Sequence, residues 1–263
     1  GIGMLTNKGI SASAGNFGTK VSGLGGTVAR QLIYGTARVG GTFVKMDTRG
    51  TKNAILSSSI VVAGHKCDGF DEIYFGETEL TYTTATLNGE TVYTVTNTKF
   101  RNSENDNAFG SDTLVRFTFH DGSQTAVDGL AAAGSSTRYP STTKLLGCSY
   151  FYIEMVYDPE KMPQIPKIWF VMRGKNIWDP RANSGNGAVS TTDAQRQNPA
   201  LQVRDYLTDT TYGLKALASE LNDGTAGGGF SSAANLCDQL VTLTVDGNGD
   251  PATTEKRYTS SGI

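Results

Sequence analysis

Few residues in this chain have the types and spacing that chemistry needs. His65 and Cys67 place an imidazole and a thiol two positions apart, as two metal ligands on one turn would be. Zinc needs three or four ligands, and His120 is the only other histidine. His65 therefore reads as a histidine of a surface turn. Glu104, Asp106 and Asp112 crowd one polar loop, raw material for a glycosidase acid and base. That reaction needs two carboxylates set across a sugar cleft, and a solvated loop explains these with less. Asp246, Asn248 and Asp250 match the first ligands of an EF-hand loop, but Pro251 and Arg257 stand where Gly and Glu belong. The run GLGG at 23–26 lacks the third glycine of the dinucleotide fingerprint, and Lys20 follows Thr rather than the P-loop glycine. Trp169 and Trp178 offer flat faces to a sugar or a base, yet on strands this apolar they read as core. No GxSxG, no HExxH and no credible triad occurs. The expectation is no catalytic residue, no metal and no cofactor.

The elements around these residues are short strands joined by turns. Glycine supplies 32 of 263 residues, well above the usual ~7%, alongside much Thr, Ser and Asn. Lys and Arg number 23 against 25 Asp and Glu, and no basic stripe appears, so nucleic-acid recognition is not expected. Cys67, Cys148 and Cys237 are sparse and odd in number, which argues for buried thiols in a reducing compartment rather than a disulfide framework. No apolar run is long enough to span a bilayer and no signal-peptide pattern occurs, so no stable membrane association is expected.

Residues 1–33 form a Gly- and Ser-rich arm unable to bury a core of its own. From Tyr34 the pattern turns to strand, broken at Gly40-Gly41, then Ala54–Ala63, then Ile73 and Phe75 alternating with Tyr74. Between 81 and 144 the alternation has period two, with a hairpin signal at Asn88-Gly89 and a second hairpin candidate at Asp121-Gly122. Residues 150–157 (YFYIEMVY) are apolar on both faces, as in a strand covered on both sides or pressed on another subunit. Pro159, Pro163 and Pro166 then force an irregular connection. The strand KIWFVM follows, with Gly174-Lys175 suited to a type II′ turn returning through Asn176–Trp178. Asn198 is a good N-cap with Pro199 at the first helical position, and Ala200, Val203 and Leu207, with Tyr206 beside them, predict the buried face. Ser231 or Ser232 would cap a second helix carrying Ala233, Leu236, Cys237 and Leu240. A strand, a loop and the start of another strand close the chain.

Five blocks occur in order: IYGTARVGG at 33–41, AGHKCDGFDEIYF at 63–75, YFYIEMVYDPEKMPQIPKIWFVMRGKNIWDPR at 150–181, NPALQVRDYLTDTTYGL at 198–214 and KRYTSSGI at 256–263. In these the chain, over roughly residues 30–263, resembles the hub region of the tail tip attachment protein J and baseplate hub family of long-tailed phages. The most specific pieces are Arg173, Gly174, Lys175, Asp179, Pro180 and Arg181 of the RGK…DPR turn. Beside them stand Asn198, Pro199, Arg204, Asp205, Tyr206, Tyr212 and Gly213 of the NPA…RDYLT…YG helix. The resemblance implies a mainly β fold of tail-tube-like barrels or a sandwich, with an inserted small β domain and two or three short helices. Beyond the arm at 1–33, which the resemblance does not match, the expected division is a β-rich hub domain at 34–180 with a possible inserted subdomain at 81–144, and an α+β continuation of the hub at 181–263. The resemblance further implies a homotrimer at the distal end of the virion's tail, assembled in the host cytoplasm. The partners would be the distal tail protein, the tape measure protein, and tail fibre or adhesin proteins. Members of the family continue past the position of Ile263 into fibronectin-like and receptor-binding parts, so receptor recognition is expected outside these residues. Two other readings compete: a carbohydrate- or receptor-binding β module using Trp169 and Trp178, and a tail-associated hydrolase.

Overall fold

The computed structural model describes residues 29–103, 109, 111–134, 138–225, 228–242 and 254–263. Most of the arm, with Lys20 and GLGG, and likewise Glu104, Asp106 and the loop of Asp246, Asn248 and Asp250, lie outside the described residues. Two compact units divide the chain: the larger holds Arg38–Lys175 with the stretch ending at Ile33, and the smaller holds Tyr34–Ala37 with Asn176–Gly262.

The strands are β1 (Thr36–Val39), β2 (Thr42–Arg49), β3 (Ile55–Ala63), β4 (Gly69–Phe75), β5 (Thr78–Glu79), β6 (Tyr82–Leu87), β7 (Glu90–Val95) and β8 (Val115–His120). A short helix α1 (Gly129–Gly134) precedes β9 (Ser149–Val156) and β10 (Ile168–Arg173). They form an antiparallel six-stranded sheet in the order β2-β3-β9-β8-β7-β6 and a four-stranded sheet in the order β1-β10-β4-β5. The fold is thus mainly β. It is not a closed barrel, however: β2 and β6 end the large sheet unpaired with each other. The physical reason lies in where the sheet hides its faces. It packs a second sheet on one side and a helix on the other, while β6, largely exposed, remains an edge.

Every residue of β9 is buried, and both of its faces are covered by the chain itself. On one face Phe151 stacks on Phe170 of β10 at 4.2 Å and meets Phe70 of β4 edge-on at 5.2 Å. Phe70 also contacts Tyr93, Phe117 and Phe119, so one ring from the small sheet is seated among rings of the large one, in the edge-to-face geometry that aromatic quadrupoles favour. On the other face Tyr150 and Tyr152 join Val92, Leu130, Ala131 and Tyr139 under α1. That second face also carries Glu154, fully buried. Its carboxylate accepts from Arg49 Nη2 of β2 at 2.6 Å, Arg116 Nε of β8 at 2.7 Å and the Tyr152 hydroxyl at 2.9 Å.

Turn chemistry explains the connections and two departures from expectation. Asn88 and Gly89, at φ 53° and 81°, make the two-residue hairpin of β6 and β7, a type I′ turn with positive φ at both positions. Asp121-Gly122 does not make a second hairpin. β8 already pairs with β7 on one side and β9 on the other, leaving no ladder for a returning strand; the chain runs on into α1 instead. Gly174-Lys175 makes no hairpin either, because β10 lies between β1 and β4. Gly174 is instead a close approach, where a Cβ would fall 2.3 Å from the Ile33 carbonyl oxygen, and the Lys175 N–H donates to that same oxygen at 2.9 Å.

The smaller unit contains β11 (Trp178–Asp179), β12 (Ala188–Val189), α2 (Asp193–Arg196), α3 (Pro199–Thr208), α4 (Phe230–Asp238), β13 (Leu240–Thr242) and β14 (Thr254–Lys256). Its core joins Ile177, Leu201 and Ala234, with Tyr34 and Ala200 packed against them. The buried face of α3 is Leu201, Gln202 and Arg204, whereas Val203 and Tyr206 are exposed. Of the predicted face Ala200 does pack on the core, but Val203 does not, because the polar Gln202 and Arg204 take inner positions. Nor does α4 begin on a serine cap: Gly229 precedes it, and the Ser231 hydroxyl donates to the Asp223 carbonyl.

Glu154→Ala would leave two arginines facing a cavity with no counter-charge. We expect a loss of ~3–5 kcal/mol, read as a lower midpoint in urea unfolding. An unchanged midpoint would show the cluster to be dispensable.

Candidate functional site

The residues singled out by sequence form two groups. In the smaller unit Asp179, 1% exposed as a side chain, faces Arg181, whose Nε and Nη2 donate to the two carboxylate oxygens at 2.9 and 2.8 Å. The Nη1 of Arg181 reaches α4, donating to Asn235 Oδ1 at 3.0 Å and Asp238 Oδ2 at 2.8 Å. Lys256 of β14 closes the chain of charges on Asp238, and Gln195 Nε2 donates to Asp179 at 3.0 Å. Pro180 is buried between the two ends of this motif.

The helix motif serves the same framework. Asn198 Oδ1 accepts from the N–H groups of Ala200 and Leu201 at 3.1 and 3.4 Å, and its amide donates to the Ala234 carbonyl at 3.0 Å. Pro199 occupies the first helical position. Arg204 forms a two-pronged pair with Asp223, both contacts 2.6 Å, and lies 3.9 Å from the ring centre of Trp178. Asp205 accepts from the Tyr34 hydroxyl at 2.6 Å; burial, with Asp205 beside it, pushes that phenol well above its ordinary range. Tyr206 contributes its carbonyl, which accepts from the Leu214 N–H, and the Tyr212 N–H donates to Asp209 Oδ1 at 2.7 Å. Gly213 fits where it does because a Cβ would stand 1.8 Å from the Tyr206 carbonyl oxygen.

In the larger unit Arg173 pairs with Asp68 Oδ2 at 2.9 Å and with Asp71. Gly174 and Lys175 hold the close approach to Ile33 described above. The thirteen motif residues therefore do not converge on one cleft. They tie elements together within their units.

The chemistry candidates resolve differently. His65 is buried, not on a surface turn. Its Nε2 accepts from the Ile33 N–H at 2.9 Å, which leaves the proton on Nδ1 to donate to the Lys66 carbonyl at 2.8 Å. A histidine so bonded lends its lone pair to the backbone. Burial pushes the Cys67 thiol up to about 11, and all three cysteines are free and buried. Asp112 pairs with Arg101 at 2.7 Å. The tryptophans belong to different units: Trp169 has Arg38 5.3 Å over its ring, and Trp178 is shielded by Arg204 and by Gly187, where a Cβ would fall 1.8 Å from the ring. An apolar groove of the larger unit, lined by Leu56, Met155, Tyr157, Met162 and Ile165 among others, has no carboxylate, imidazole, amine or thiol on its walls.

One grouping was not foreseen. His120 at the end of β8 meets Asp128, just before α1, at 2.7 Å and Glu90, at the start of β7, at 3.8 Å. Among the described residues this is the one cluster of three metal-capable side chains. No sequence spacing announces it, because each residue comes from a different element.

Two outcomes follow from this geometry. Burial alone would raise the Asp179 and Asp238 carboxyls, but hydrogen bonds and charge from Arg181, and from Lys256 at Asp238, outweigh it and hold both below the usual carboxylate range. A depressed folded pKa gives stability that is present above the unfolded value, ~3.9, and lost as pH falls through the lower folded value. Unfolding midpoints followed from pH 6 down to about pH 2 should drop across that window, and Asp179→Asn should flatten the drop; an equal slope in the variant would refute the assignment. Gly213→Ala should cost ~1–3 kcal/mol in thermal unfolding, since backbone must move to admit the methyl; a neutral result would mean the wrap after α3 is loose. No protein-family model matches the chain, and no curated protein is significantly similar to it.

Proposed function

We propose that this chain is the hub region of a long-tailed phage's tail tip. It would be a structural virion protein that closes the distal end of the tail tube as a homotrimer and anchors fibre or adhesin modules for host attachment and genome delivery. The observation that carries the reading is the run of five sequence blocks in family order. The use the fold makes of them supports it: Asp179, Arg181, Asn198 and Arg204 are committed to caps, ion pairs and a ring face, the employment of scaffold rather than catalyst. The partners that follow from the reading are the distal tail protein, the tape measure protein and the fibre or adhesin proteins.

The trimer rests on the resemblance and on the edges at β2 and β6, which among the described residues pair on one side only and so offer backbone groups to a neighbour. Strand β9 gives it no support, since the chain covers both faces of that strand unaided. A reconstruction of tails from a phage encoding this chain should place three copies about the tail axis. Sedimentation of the purified chain should give three times the monomer mass. A monomer at every concentration, together with no density at the tip, would overturn the reading.

A further inference from the structure

We propose that Glu90, His120 and Asp128 form a binding site for one divalent transition-metal ion, with zinc the best match. One imidazole nitrogen and two carboxylate oxygens are a donor set that zinc accepts at ~2.0–2.2 Å. Tetrahedral coordination at that length sets neighbouring donors ~3.3 Å apart. The spacings here, 2.7 Å from His120 Nε2 to Asp128 Oδ2 and 3.8 Å from the same nitrogen to Glu90 Oε2, bracket that value. All three ligand atoms lie within 4.8 Å of one another. The two spacings to the histidine would each change by about half an ångström, and that between the carboxylates by at most ~1.5 Å.

Charge favours the same conclusion. The side chains of Asp128 and Glu90 are 3% and 22% exposed, yet no arginine or lysine among the described residues pairs with either. Among the described residues the basic group that meets both is the His120 imidazole. Two carboxylates gathered away from water call for positive charge nearby, and a divalent ion supplies it.

The surroundings orient each ligand, as supporting groups do around metal centres. The Thr118 hydroxyl donates to Asp128 Oδ2, and the Ala131 N–H donates to Asp128 Oδ1 at 2.7 Å. The Gly129 N–H donates to Glu90 Oε1 at 2.9 Å, leaving Oε2 turned to the histidine. Tyr150 stacks on the His120 ring at 4.6 Å. On binding, the proton His120 Nε2 shares with Asp128 moves to Nδ1 or to solvent, freeing the lone pair. The partly exposed Glu90 side leaves the fourth position to water. The ion would pin the β6–β7 hairpin to β8 and α1, and would stabilise the folded chain by binding it in preference to the unfolded one.

The test uses the full 263-residue chain, stripped with a chelator and titrated with Zn2+ by calorimetry at neutral pH, with Co2+ as a spectroscopic stand-in. We expect one ion per chain, visible Co2+ absorption and a higher melting temperature with Zn2+. His120→Gln should abolish all three. Glu90→Gln should weaken binding at least tenfold, and Thr118→Val by ~10–100-fold. Circular dichroism checks that the variants fold; should His120→Gln fail to fold, the partly exposed Glu90→Gln decides. Absence of saturable uptake at millimolar Zn2+, or uptake unaltered in the ligand variants, would overturn the proposal.

Discussion

A single buried carboxyl side chain at the centre of the sheet governs the larger unit. Glu154 sits on the middle strand with no solvent about it, and Arg49 and Arg116 reach it from either side. Removing three charges from water costs much of what their attraction returns, so the cluster adds little net stability. What it adds is register. A slip of β9 by one residue would turn Glu154 towards Phe70 and Phe170 and set Phe151 beside the arginines. Both faces would be ruined at once, so the alternation of β9 admits one pairing with β3 and β8.

Given that register, the rest of the unit falls into place. The aromatic face of β9 demands a second layer, which β4 and β10 provide through Phe70 and Phe170. The tyrosine face demands a lid, and α1 supplies Leu130 and Ala131. A sheet filled on both faces in this way has no need to curl onto itself, so it stays open. The smaller unit is held differently, by arginines that each bridge two elements: Arg181 between the DPR turn and α4, Arg204 between α3 and Asp223. Its apolar core of Ile177, Leu201 and Ala234 is small, and directional pairs make up for that.

Much of this was legible where the signal was local. Asn88-Gly89 turned as its residue types require, and Asn198-Pro199 opened α3 with the bonds a cap should make. Legibility failed where tertiary partners decided. Asp121-Gly122 had the composition of a hairpin, but both sides of β8 were taken. The inner face of α3 was hidden because Gln202 and Arg204, polar by type, are buried by partners distant in sequence, Ser260 and Asp223. His65 was misplaced on the surface because its acceptor role towards Ile33 leaves no trace in composition. Glu90 and Asp128 went unnoticed for a like reason: only the fold gathers them round His120.

The buried thiols have a practical meaning. Cys67 and Cys148 lie in the larger unit and Cys237 in the smaller, and a buried thiol reacts fully only when its surroundings open. Alkylation rates of these three side chains are therefore separate clocks for the breathing of each half, built into the native chain without any added label.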